Sequence, residues 1–367
     1  MPRFSVSPTM RSWAEVDPDA LRHNLAVVRN AVGPKPQILA VVKANAYGHG
    51  TEPVVRALAH DVTIFGVANL SEALAVQAAG SGRDIMLLSP CLPAEREAAV
   101  ARGFIVTVSS LEEAHGFAAC GDVRINFKVD TGMGRVGIWW ERAGDELEKI
   151  ARIAHIHSIS THLPSSDEDV RFTLSQLKDF EALAESLLQI APGAKVHSLN
   201  SAGILRFPEH ARDIVRAGLV LYGSSPLPEI ARLCRPALTW KTRVTLVRDL
   251  PVGAGVCYGR TFVTPRPMRT AVLAAGYADG FPRQVSGRGA SVLVGGHRCP
   301  VLGRVTMDQI VVDISSLASV APGDEAVLIG CQGGESITAE ELASQAGTIS
   351  WHILTGIKSR VARVYGD

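Results

Sequence analysis

The chain has 367 residues, a length that allows about two domains and argues against a single small module. Hydrophobic residues make up 47% and charged residues 20% of the chain, which is typical of a globular protein and excludes intrinsic disorder. The formal net charge is +1, so no bulk electrostatic field attracts the protein to nucleic acid or to an acidic membrane surface. We expect neither as a partner.

The cysteine pattern and the N-terminal sequence bear on the compartment. The six cysteines form no CxxC pair and no spacing typical of a zinc knuckle or a disulfide framework, which favours reduced thiols. The N-terminal stretch MPRFSVSPTMRSW has no apolar segment of signal-peptide length, and no apolar run reaches the roughly 20 residues of a membrane helix. We therefore expect a soluble, cytoplasmic protein.

The first two thirds of the chain alternate between short apolar runs and helical patterns that open with capping residues. Eight strands alternating with helices predict an α/β fold with a closed (β/α)8 TIM-type barrel, although a doubly wound open sheet uses the same alternation. The count favours the barrel. The eight runs are Ile38 to Val42, Thr63 to Ala68, Asp84 to Leu88, Phe104 to Val108, Arg124 to Val129, Ile156 to Thr161, Val196 to Leu199 and Asp213 to Ala217.

A second, mainly β domain is predicted after about Pro236. Thr338 and Glu341 give a capping-box signal, so a short helix is expected within it. We place the domain boundary between residues 1–237 and residues 238–367. The strand signals are the alternating segment Leu238 to Arg248, the Gly295-Gly296 turn between apolar runs, and Ile310 to Ile314.

The most informative stretch is AVVKANAYGHG, residues 40–50. Its apolar run places Lys43 at the C-terminal end of the first barrel strand, where barrel enzymes build their active sites. A glycine-punctuated loop follows, and a helix is predicted to begin near Thr51. Burial at the strand end disfavours the ammonium form and supplies the neutral amine that a Schiff base requires. The alternative is a lysine whose amine extends into water, as is usual for long cationic side chains.

This stretch resembles the signature of the alanine racemases, which are fold-type III enzymes that depend on pyridoxal 5′-phosphate (PLP). Further matching motifs follow in the family's order along nearly the whole chain. The resemblance implies a PLP-binding barrel domain and a homodimer with shared active sites. The other motifs are SWAEVDPDALRHN (12–24), KVDTGMGRVG (128–137), HSLNSAG (197–203), RAGLVLYG (216–223), VCYGRTF (256–262), GYADG (276–280) and GRVTMDQ (303–309).

The resemblance implies interconversion of L- and D-alanine by two-base proton transfer on a PLP external aldimine. Lys43 would bind PLP and move the proton on one face of the substrate, and Tyr258 would do so on the other. A tyrosine is a poor base at neutral pH, so the family supplies a chain from Tyr258 through His162 to Arg216. Arg216 would face the pyridine nitrogen and keep it unprotonated, which favours reprotonation over transamination.

The remaining site residues also follow from the resemblance. Arg135 would contact the phenolic oxygen of PLP and the substrate, held by Lys128, a position that is carbamylated in several family members. Met307 and Asp308 would lie at the substrate carboxylate and the entrance, contributed with Tyr258 by the partner subunit. The cofactor phosphate would be bound by Tyr47, Ser201 and the backbone amides near Gly218 and Leu219.

A few positions depart from the family pattern. Ala217 stands in place of a common proline, and Thr306 in place of a frequent cysteine. Ser359 in IKSRVARVY aligns with a tyrosine that usually lines the pocket. A smaller side chain with a hydroxyl would enlarge the pocket, which leads to the hypothesis that serine is accepted alongside alanine. The alternative is that Tyr365 or another group fills the gap.

Rival readings predict different chemistry. His155, His157 and His162 resemble a metal cluster, but no matching ligand set follows the other strands, so we expect no metal. A PLP-binding homeostasis protein shares the barrel and the lysine but lacks a β domain. A fold-type III decarboxylase is disfavoured because its motifs are absent. The sequence therefore predicts a PLP-dependent alanine racemase that supplies D-alanine, a peptidoglycan precursor; a catabolic role is the alternative.

Overall fold

The computed structural model describes residues 4–225, 227 and 231–366. Residues 1–3, which open the MPRFSVSPTMRSW stretch, lie outside the described part. Contacts among Cα atoms divide the chain into two compact units. The barrel unit comprises residues 21–46 and 51–235, and the β unit comprises residues 4–20, 47–50 and 236–366, as far as these are described.

Strands occur along the whole described chain. In order they are β1 (Ser12–Val16), β2 (Gln37–Val41), β3 (Ile64–Val67), β4 (Asp84–Leu87), β5 (Ile105–Val108), β6 (Arg124–Asp130), β7 (Ile138–Trp139), β8 (His155–Ser160), β9 (Lys195–His197), β10 (Ile214–Ala217), β11 (Leu238–Leu250), β12 (Gly255–Val256), β13 (Phe262–Val263), β14 (Met268–Leu273), β15 (Ser291–Val294), β16 (His297–Leu302), β17 (Ile310–Asp313), β18 (Glu325–Gln332), β19 (Glu335–Ile337) and β20 (Ala362–Tyr365).

Right-handed α-helices connect the barrel strands and return near the end of the chain. They are α1 (Pro18–Val32), α2 (Thr51–Leu58), α3 (Leu70–Ala78), α4 (Arg96–Ala101), α5 (Leu111–Ala118), α6 (Ala143–Ala151), α7 (Val170–Ile190), α8 (Ser201–Arg206), α9 (Ala339–Ala346) and α10 (Ser350–Gly356). Short 3-10 turns cover Pro93–Glu95, Trp140–Arg142, Pro208–His210, Leu219–Tyr222, Tyr258–Arg260 and Arg283–Val285.

The barrel unit is a nearly closed parallel barrel, as predicted. Its eight strands follow the order β10, β2, β3, β4, β5, β6, β8, β9, and every neighbouring pair is parallel. The Arg216 N–H donates to the Leu199 carbonyl at 3.0 Å, which links β10 to the residues after β9. Each of the eight predicted apolar runs overlaps one of these strands, with differences of one or two residues at the ends. The doubly wound open sheet is therefore excluded.

The barrel strands form because their side chains are apolar and largely β-branched or aromatic, which suits a sheet that is buried on both faces. Ile38, Phe65, Phe127 and Ile159 are fully buried. Burying side chains of this size contributes about 1.5–3 kcal/mol each. Helix starts follow the predicted signals, for example at Asn69, whose side chain accepts the Glu72 N–H and caps α3.

The β unit is built on antiparallel strands. The pairs β11–β14, β14–β17, β17–β16, β16–β15, β15–β18 and β18–β11 close a ring of six strands. The predicted Gly295-Gly296 turn joins β15 to β16, and both glycines have positive φ, as a tight hairpin requires. The predicted capping signal is also present, because the Thr338 hydroxyl accepts the Glu341 N–H at the start of α9.

The N-terminal strand belongs to the β unit. β1 pairs antiparallel with β11 and parallel with β20. The predicted boundary, by contrast, assigned residues 1–237 to one domain. The pairing explains the difference, since β1 (SWAEV) is fully buried and finds its hydrogen-bond partners more than 220 residues along the chain. No helix among the described residues has the length and apolar character needed to cross a membrane.

Candidate active site

Lys43 follows β2 directly and begins an unusual backbone segment. Residues Lys43–Tyr47 form a single turn in which Ala44, Asn45, Ala46 and Tyr47 all have φ between 51° and 54°. This is a left-handed helical turn without glycine, and such a conformation costs L-residues roughly 1–2 kcal/mol each. The loop predicted after Lys43 is therefore a strained, well-defined turn, and strain of this kind is typical of functional sites.

The amine of Lys43 lies in a desolvated, positively charged environment. Burial lowers the pKa of Lys43, the nearby Arg135 guanidinium lowers it further, and Glu72 opposes the shift. A lowered pKa increases the fraction of neutral amine near neutral pH, which is the form that attacks a carbonyl. This supports the predicted chemistry over the alternative of an amine extended into water.

Arg216 is buried and held by five contacts. Its Nη1 lies 2.8 Å from His197 Nδ1 and donates to the His197 carbonyl at 3.3 Å. Its Nη2 donates to the Thr161 and Ser198 carbonyls at 2.9 and 2.8 Å, and lies 3.2 Å from His162 Nδ1. Burial lowers the pKa of Arg216 to about 10, so the guanidinium stays protonated at neutral pH. It is therefore a fixed cation with a fixed orientation.

The two imidazoles beside Arg216 are neutral. Burial, followed by the charge of Arg216, places the pKa of both His162 and His197 well below the ordinary value. A guanidinium can only donate, so each ring presents its Nδ1 lone pair to Arg216 and carries its proton on Nε2. Each histidine thus has one defined tautomer, with an N–H directed away from Arg216.

Arg135 is carried by a tight turn that Asp130 organises. The Oδ1 atom of Asp130 accepts the N–H groups of Gly132, Met133 and Gly134 at 2.9 to 3.1 Å, and its Oδ2 accepts that of Arg135 at 3.1 Å. The chain then folds back so closely that a Cβ on Gly137 would lie 2.7 Å from the Asp130 nitrogen. KVDTGMGRVG is thus the sequence of a carboxylate-centred turn that fixes the backbone of Arg135.

Lys128 lies on β6, two residues before Asp130. Burial lowers the pKa of Lys128 well below its usual value, and the charges of Arg216 and Arg135 add to the effect, whereas Asp130 opposes it. His162 experiences the charges of Arg216, Lys128, Arg135 and Lys43. The structure therefore brings together five residues predicted for the site at the carboxyl end of the barrel strands.

A second group lies where β9 and β10 end. The Ser201 hydroxyl accepts the N–H of Gly218 at 2.9 Å and that of Val220 at 3.3 Å. Leu219 is buried and opens the 3-10 turn Leu219–Tyr222, whose last residue donates its hydroxyl to the Val41 carbonyl at 2.9 Å. Ser201, Gly218 and Leu219 are therefore neighbours, and the turn is tied to the strand that precedes Lys43.

The other predicted site residues belong to the β unit. Tyr258 lies in a short turn between β12 and β13 and is 71% exposed, and Met307 is 53% exposed. The Asp308 carboxylate is 2.8 Å from the Arg360 guanidinium. Burial raises the pKa of Tyr47 to about 12, so its hydroxyl stays protonated.

The metal-site alternative finds no support in the geometry. His157 Nδ1 lies 3.2 Å from the Ser158 hydroxyl, and burial lowers the pKa of His157 to about 4. His162 is engaged by Arg216. Within the part of the chain that the structure describes, no group of three or more His, Cys, Asp or Glu side chains could hold a metal ion.

The barrel residues fit PLP chemically. Lys43, Lys128, Arg135 and Arg216 form a cluster of basic side chains that includes two guanidinium cations, whereas the nearby Asp130 carboxylate is already used by backbone amides. A small aromatic aldehyde with a phosphate and a phenolic oxygen would suit such a cluster, since the guanidinium groups would bind its anionic oxygens and the desolvated Lys43 amine would react with its aldehyde.

Sequence reasoning missed two residues that orient this site. His197 accepts from Arg216, and Asp130 holds the Arg135 turn. Both lie inside quoted motifs, HSLNSAG and KVDTGMGRVG, but received no role. The Asp-x-Gly-x-Gly pattern could have indicated an Asx-type turn. No local pattern indicates the partner of His197, which lies 19 residues along the chain.

A barrel that carries a desolvated lysine near Arg135 and a buried, fixed Arg216, on a chain that also has a β unit, fits a PLP-dependent enzyme of the barrel class. Two family models match: "Alanine racemase, N-terminal domain" over residues 16–226 and "Alanine racemase, C-terminal domain" over residues 237–365. The chain belongs to the alanine racemase family, whose members are PLP-dependent isomerases.

Individual relatives agree over nearly their full length. The chain is 40% identical to the alanine racemase of Methylacidiphilum infernorum, covering 99% of this chain and 95% of the relative. It is similar to the crystal structure of alanine racemase from the D-cycloserine producer Streptomyces lavendulae, with 37% identity, a TM-score of 0.89 and coverage of 98% and 97%. An alanine racemase from Bartonella henselae, with covalently bound pyridoxal phosphate, gives 30% identity, a TM-score of 0.86 and coverage of 97% and 99%.

Proposed function

We propose that this protein interconverts L- and D-alanine with PLP bound through Lys43, and that Lys43 and Tyr258 carry the proton on opposite faces of the substrate. The desolvated amine of Lys43 beside Arg135 is the observation that carries the proposal. When bound, PLP withdraws electrons from the substrate carbon and so acidifies its proton. Every other part of the reaction is assigned to side chains of this chain.

The cation at Arg216 sets the course of the reaction. Its five contacts hold the guanidinium rigidly, and its pKa of about 10 prevents it from giving up a proton at neutral pH. We assign it to the pyridine nitrogen, which it can face only as a donor, so that nitrogen stays unprotonated. A weaker electron sink favours return of the proton over transamination.

The phenol of Tyr258 needs a partner in order to act as a base at neutral pH. We propose that the partner subunit's barrel supplies it through His162, whose Nε2–H is directed away from Arg216. The neutral imidazole would accept a hydrogen bond from the Arg216 guanidinium at Nδ1 and donate one from Nε2 to the phenolic oxygen of Tyr258, which favours the phenolate. Met307 and Asp308 are assigned to the substrate carboxylate and the entrance of the same shared site.

The remaining assignments concern binding. Tyr47, Ser201 and the amides of Gly218 and Leu219 are proposed to hold the phosphate. Arg135 is proposed to contact the phenolic oxygen and the substrate, and Lys128 to be carbamylated. Burial supports the last assignment, since a lowered pKa gives Lys128 the neutral amine that reacts with carbon dioxide. A carbamate would also supply negative charge beside two cations, Arg216 and Arg135.

We further propose a cytoplasmic homodimer whose two active sites are each built from both chains. The exposed Tyr258 and Met307 support this proposal, because residues assigned to catalysis and substrate binding would otherwise face water. In this proposal the barrel unit, which lies within residues 1–237, binds PLP, and the β unit, which includes residues 4–20 and 47–50 as well as 238–366, reaches the partner subunit. The biological role proposed is D-alanine supply for peptidoglycan.

A side activity on serine is proposed from the pocket residue. Ser359 is exposed and stands where the resemblance leads us to expect a tyrosine, while the Tyr365 hydroxyl donates to the His49 carbonyl at 3.1 Å. That bond engages Tyr365 within the β unit, so it is not free to replace the missing ring. Steady-state rates with L-alanine and L-serine test this, and a serine rate at background level would end the hypothesis.

Circular dichroism of L-alanine incubated with the PLP-loaded protein tests the main proposal. The signal should decay to zero as the enantiomers equilibrate, and D-alanine should approach the same end point. Borohydride reduction followed by peptide mass spectrometry should place the pyridoxyl group on Lys43. A stable signal, or a pyridoxyl group on a different lysine, would contradict the proposal.

A further inference from the structure

Glu72 joins the lysine segment to the neighbouring helix. It lies in the first turn of α3, where Asn69 caps the helix by accepting the Glu72 N–H at 3.0 Å. One carboxylate oxygen, Oε2, accepts the N–H of Ala68 at 2.8 Å, just before the cap. The other, Oε1, accepts the N–H of Ala44 at 2.7 Å. A single carboxylate thus binds two backbone amides from two βα units of the barrel.

The amide of Ala44 lies where the backbone changes from the strand to the left-handed turn. Ala44 is the residue directly after Lys43 and the first of the four left-handed residues, with φ 53° and ψ 51°. An L-residue holds such a conformation only where its surroundings enforce it. At the other side of the turn, the Asn45 side chain accepts the Thr51 N–H at 3.0 Å. The turn is therefore held by side-chain acceptors on both sides.

We propose that Glu72 is a positioning residue for Lys43: its carboxylate fixes the left-handed turn through the Ala44 N–H and so aims the Lys43 amine into the cofactor site. This proposal rests on the proposed function, in which Lys43 binds PLP. The carboxylate also lies close enough to the amine to act on its charge, opposing the effects of burial and Arg135. Glu72 therefore acts on both the direction and the basicity of the amine.

The chain supplies a matched control in Glu113. That residue occupies the same place in α5, where Ser110 caps the helix by accepting the Glu113 N–H at 3.1 Å. Its Oε2 accepts the Ser109 N–H at 2.6 Å, as Glu72 Oε2 does for Ala68. Among the described residues, the hydrogen bonds of Glu113 do not reach the lysine segment. Glu113→Gln therefore measures the effect of losing a carboxylate at the start of a helix, without any effect on the Ala44 N–H.

The experiment compares Glu72→Gln with Glu113→Gln in two measurements. In the first, PLP release from the loaded protein is followed by absorbance. Loss of one charge-assisted hydrogen bond predicts release that is about tenfold faster in Glu72→Gln and within about twofold of wild type in Glu113→Gln. In the second, PLP-free protein is labelled with trace acetic anhydride, and modification of Lys43 is quantified by mass spectrometry against pH.

The labelling profile separates positioning from a purely structural role. Removing the Glu72 carboxylate takes away the group that raises the pKa of Lys43, so half-maximal labelling should move to lower pH in Glu72→Gln. Glu113→Gln should leave the profile unchanged. Unchanged labelling and release in Glu72→Gln would overturn the proposal and leave Glu72 as a helix cap. Absence of PLP from Lys43 in the wild type would instead contradict the proposed function, and the labelling comparison would still decide the role of Glu72.

Ala44→Gly provides the second variant, because glycine adopts the left-handed conformation without strain. In the double variant Glu72→Gln/Ala44→Gly, PLP release should return most of the way to the wild-type rate. The shifted labelling profile should persist, since the carboxylate is still missing. If Glu72→Gln alone does not fold, the double variant is compared with the wild type instead. PLP release from the double variant that stays about tenfold faster than from the wild type would overturn the positioning role of Glu72.

Discussion

At the scale of single residues, Tyr258 offers the sharpest prediction. Its side chain is 71% exposed, so Tyr258→Phe removes a hydroxyl without disturbing a core. Loss of a general acid–base group typically costs 10²- to 10⁴-fold, so we expect racemisation to slow by about that factor in both directions. PLP absorbance should be unchanged. Initial rates from L- and D-alanine provide the measurement, and unchanged turnover would remove Tyr258 from the reaction.

Ser201 gives a prediction about cofactor binding. Its hydroxyl accepts the N–H groups of Gly218 and Val220 and so fixes the turn that carries the Gly218 and Leu219 amides, which are assigned to the phosphate. Ser201→Ala should therefore speed PLP release by about tenfold, which corresponds to one hydrogen bond to a charged group. Pyridoxal, which lacks the phosphate, serves as the control and should be released equally fast from both proteins. An equal effect on both compounds would show that Ser201 does not act on the phosphate.

The position of Lys43 could be predicted from sequence, but the partners of Arg216 could not. An apolar run that ends in lysine places that lysine at the end of a strand, whatever the rest of the chain does. Arg216, by contrast, donates to the carbonyls of Thr161, His197 and Ser198. Every residue has a main-chain carbonyl, so the sequence does not indicate which carbonyls a buried arginine binds. Only the folded structure identifies them.

At the scale of elements, the turn after β6 predicts a pH-dependent contribution to stability. Although partial burial acts in the opposite direction, four backbone N–H groups lower the pKa of Asp130. The unfolded state then binds a proton more readily, so this contribution is present above the ordinary aspartate pKa and is lost as pH falls through the folded value. Asp130→Asn should destabilise the protein by about 1.5–3 kcal/mol at neutral pH, with a smaller difference in acid.

Chemical denaturation of wild type and Asp130→Asn at a series of pH values checks this contribution. Asp179→Asn is the control, because that carboxylate is exposed on α7. The gap between wild type and Asp130→Asn should close towards low pH, whereas the control should follow wild type throughout. A gap that is independent of pH would mean that the amides of the turn do not stabilise the ionised carboxylate.

The elements of the barrel were predictable for a reason that does not extend to the lysine turn. Strands such as Ile105–Val108 are buried on both faces, and burial demands the continuous apolar residues that sequence reasoning detects. The left-handed residues 44–47 are two alanines, an asparagine and a tyrosine, and of these only asparagine adopts that conformation at all readily. Its cause is the set of acceptors supplied by Glu72 and Asn45, and a propensity argument does not include them.

At the scale of the whole molecule, chain order and spatial order differ. A boundary near residue 237 follows from the sequence pattern, which changes there from alternating strands and helices to strands joined by turns. Such a pattern is a local property of the sequence. The strand Ser12–Val16 pairs with Leu238–Leu250 and Ala362–Tyr365. A short strand with three apolar residues fits either unit, so its location is decided by which strands provide its backbone hydrogen-bond partners. That information exists only after both units have folded.

The proposed sharing of active sites between chains leads to a test by complementation. Lys43→Ala and Tyr258→Phe should each be nearly inactive as homodimers. In a mixed dimer, one site receives both substitutions, and the other receives Lys43 from one chain and Tyr258 from the other. Random pairing makes half of the dimers mixed, so co-refolding should restore about a quarter of wild-type activity. Lys43→Ala mixed with the double variant Lys43→Ala/Tyr258→Phe is the control and should restore none. If each site were built from one chain, the first mixture would also stay inactive, and the assignment of Tyr258 to the partner subunit would be wrong.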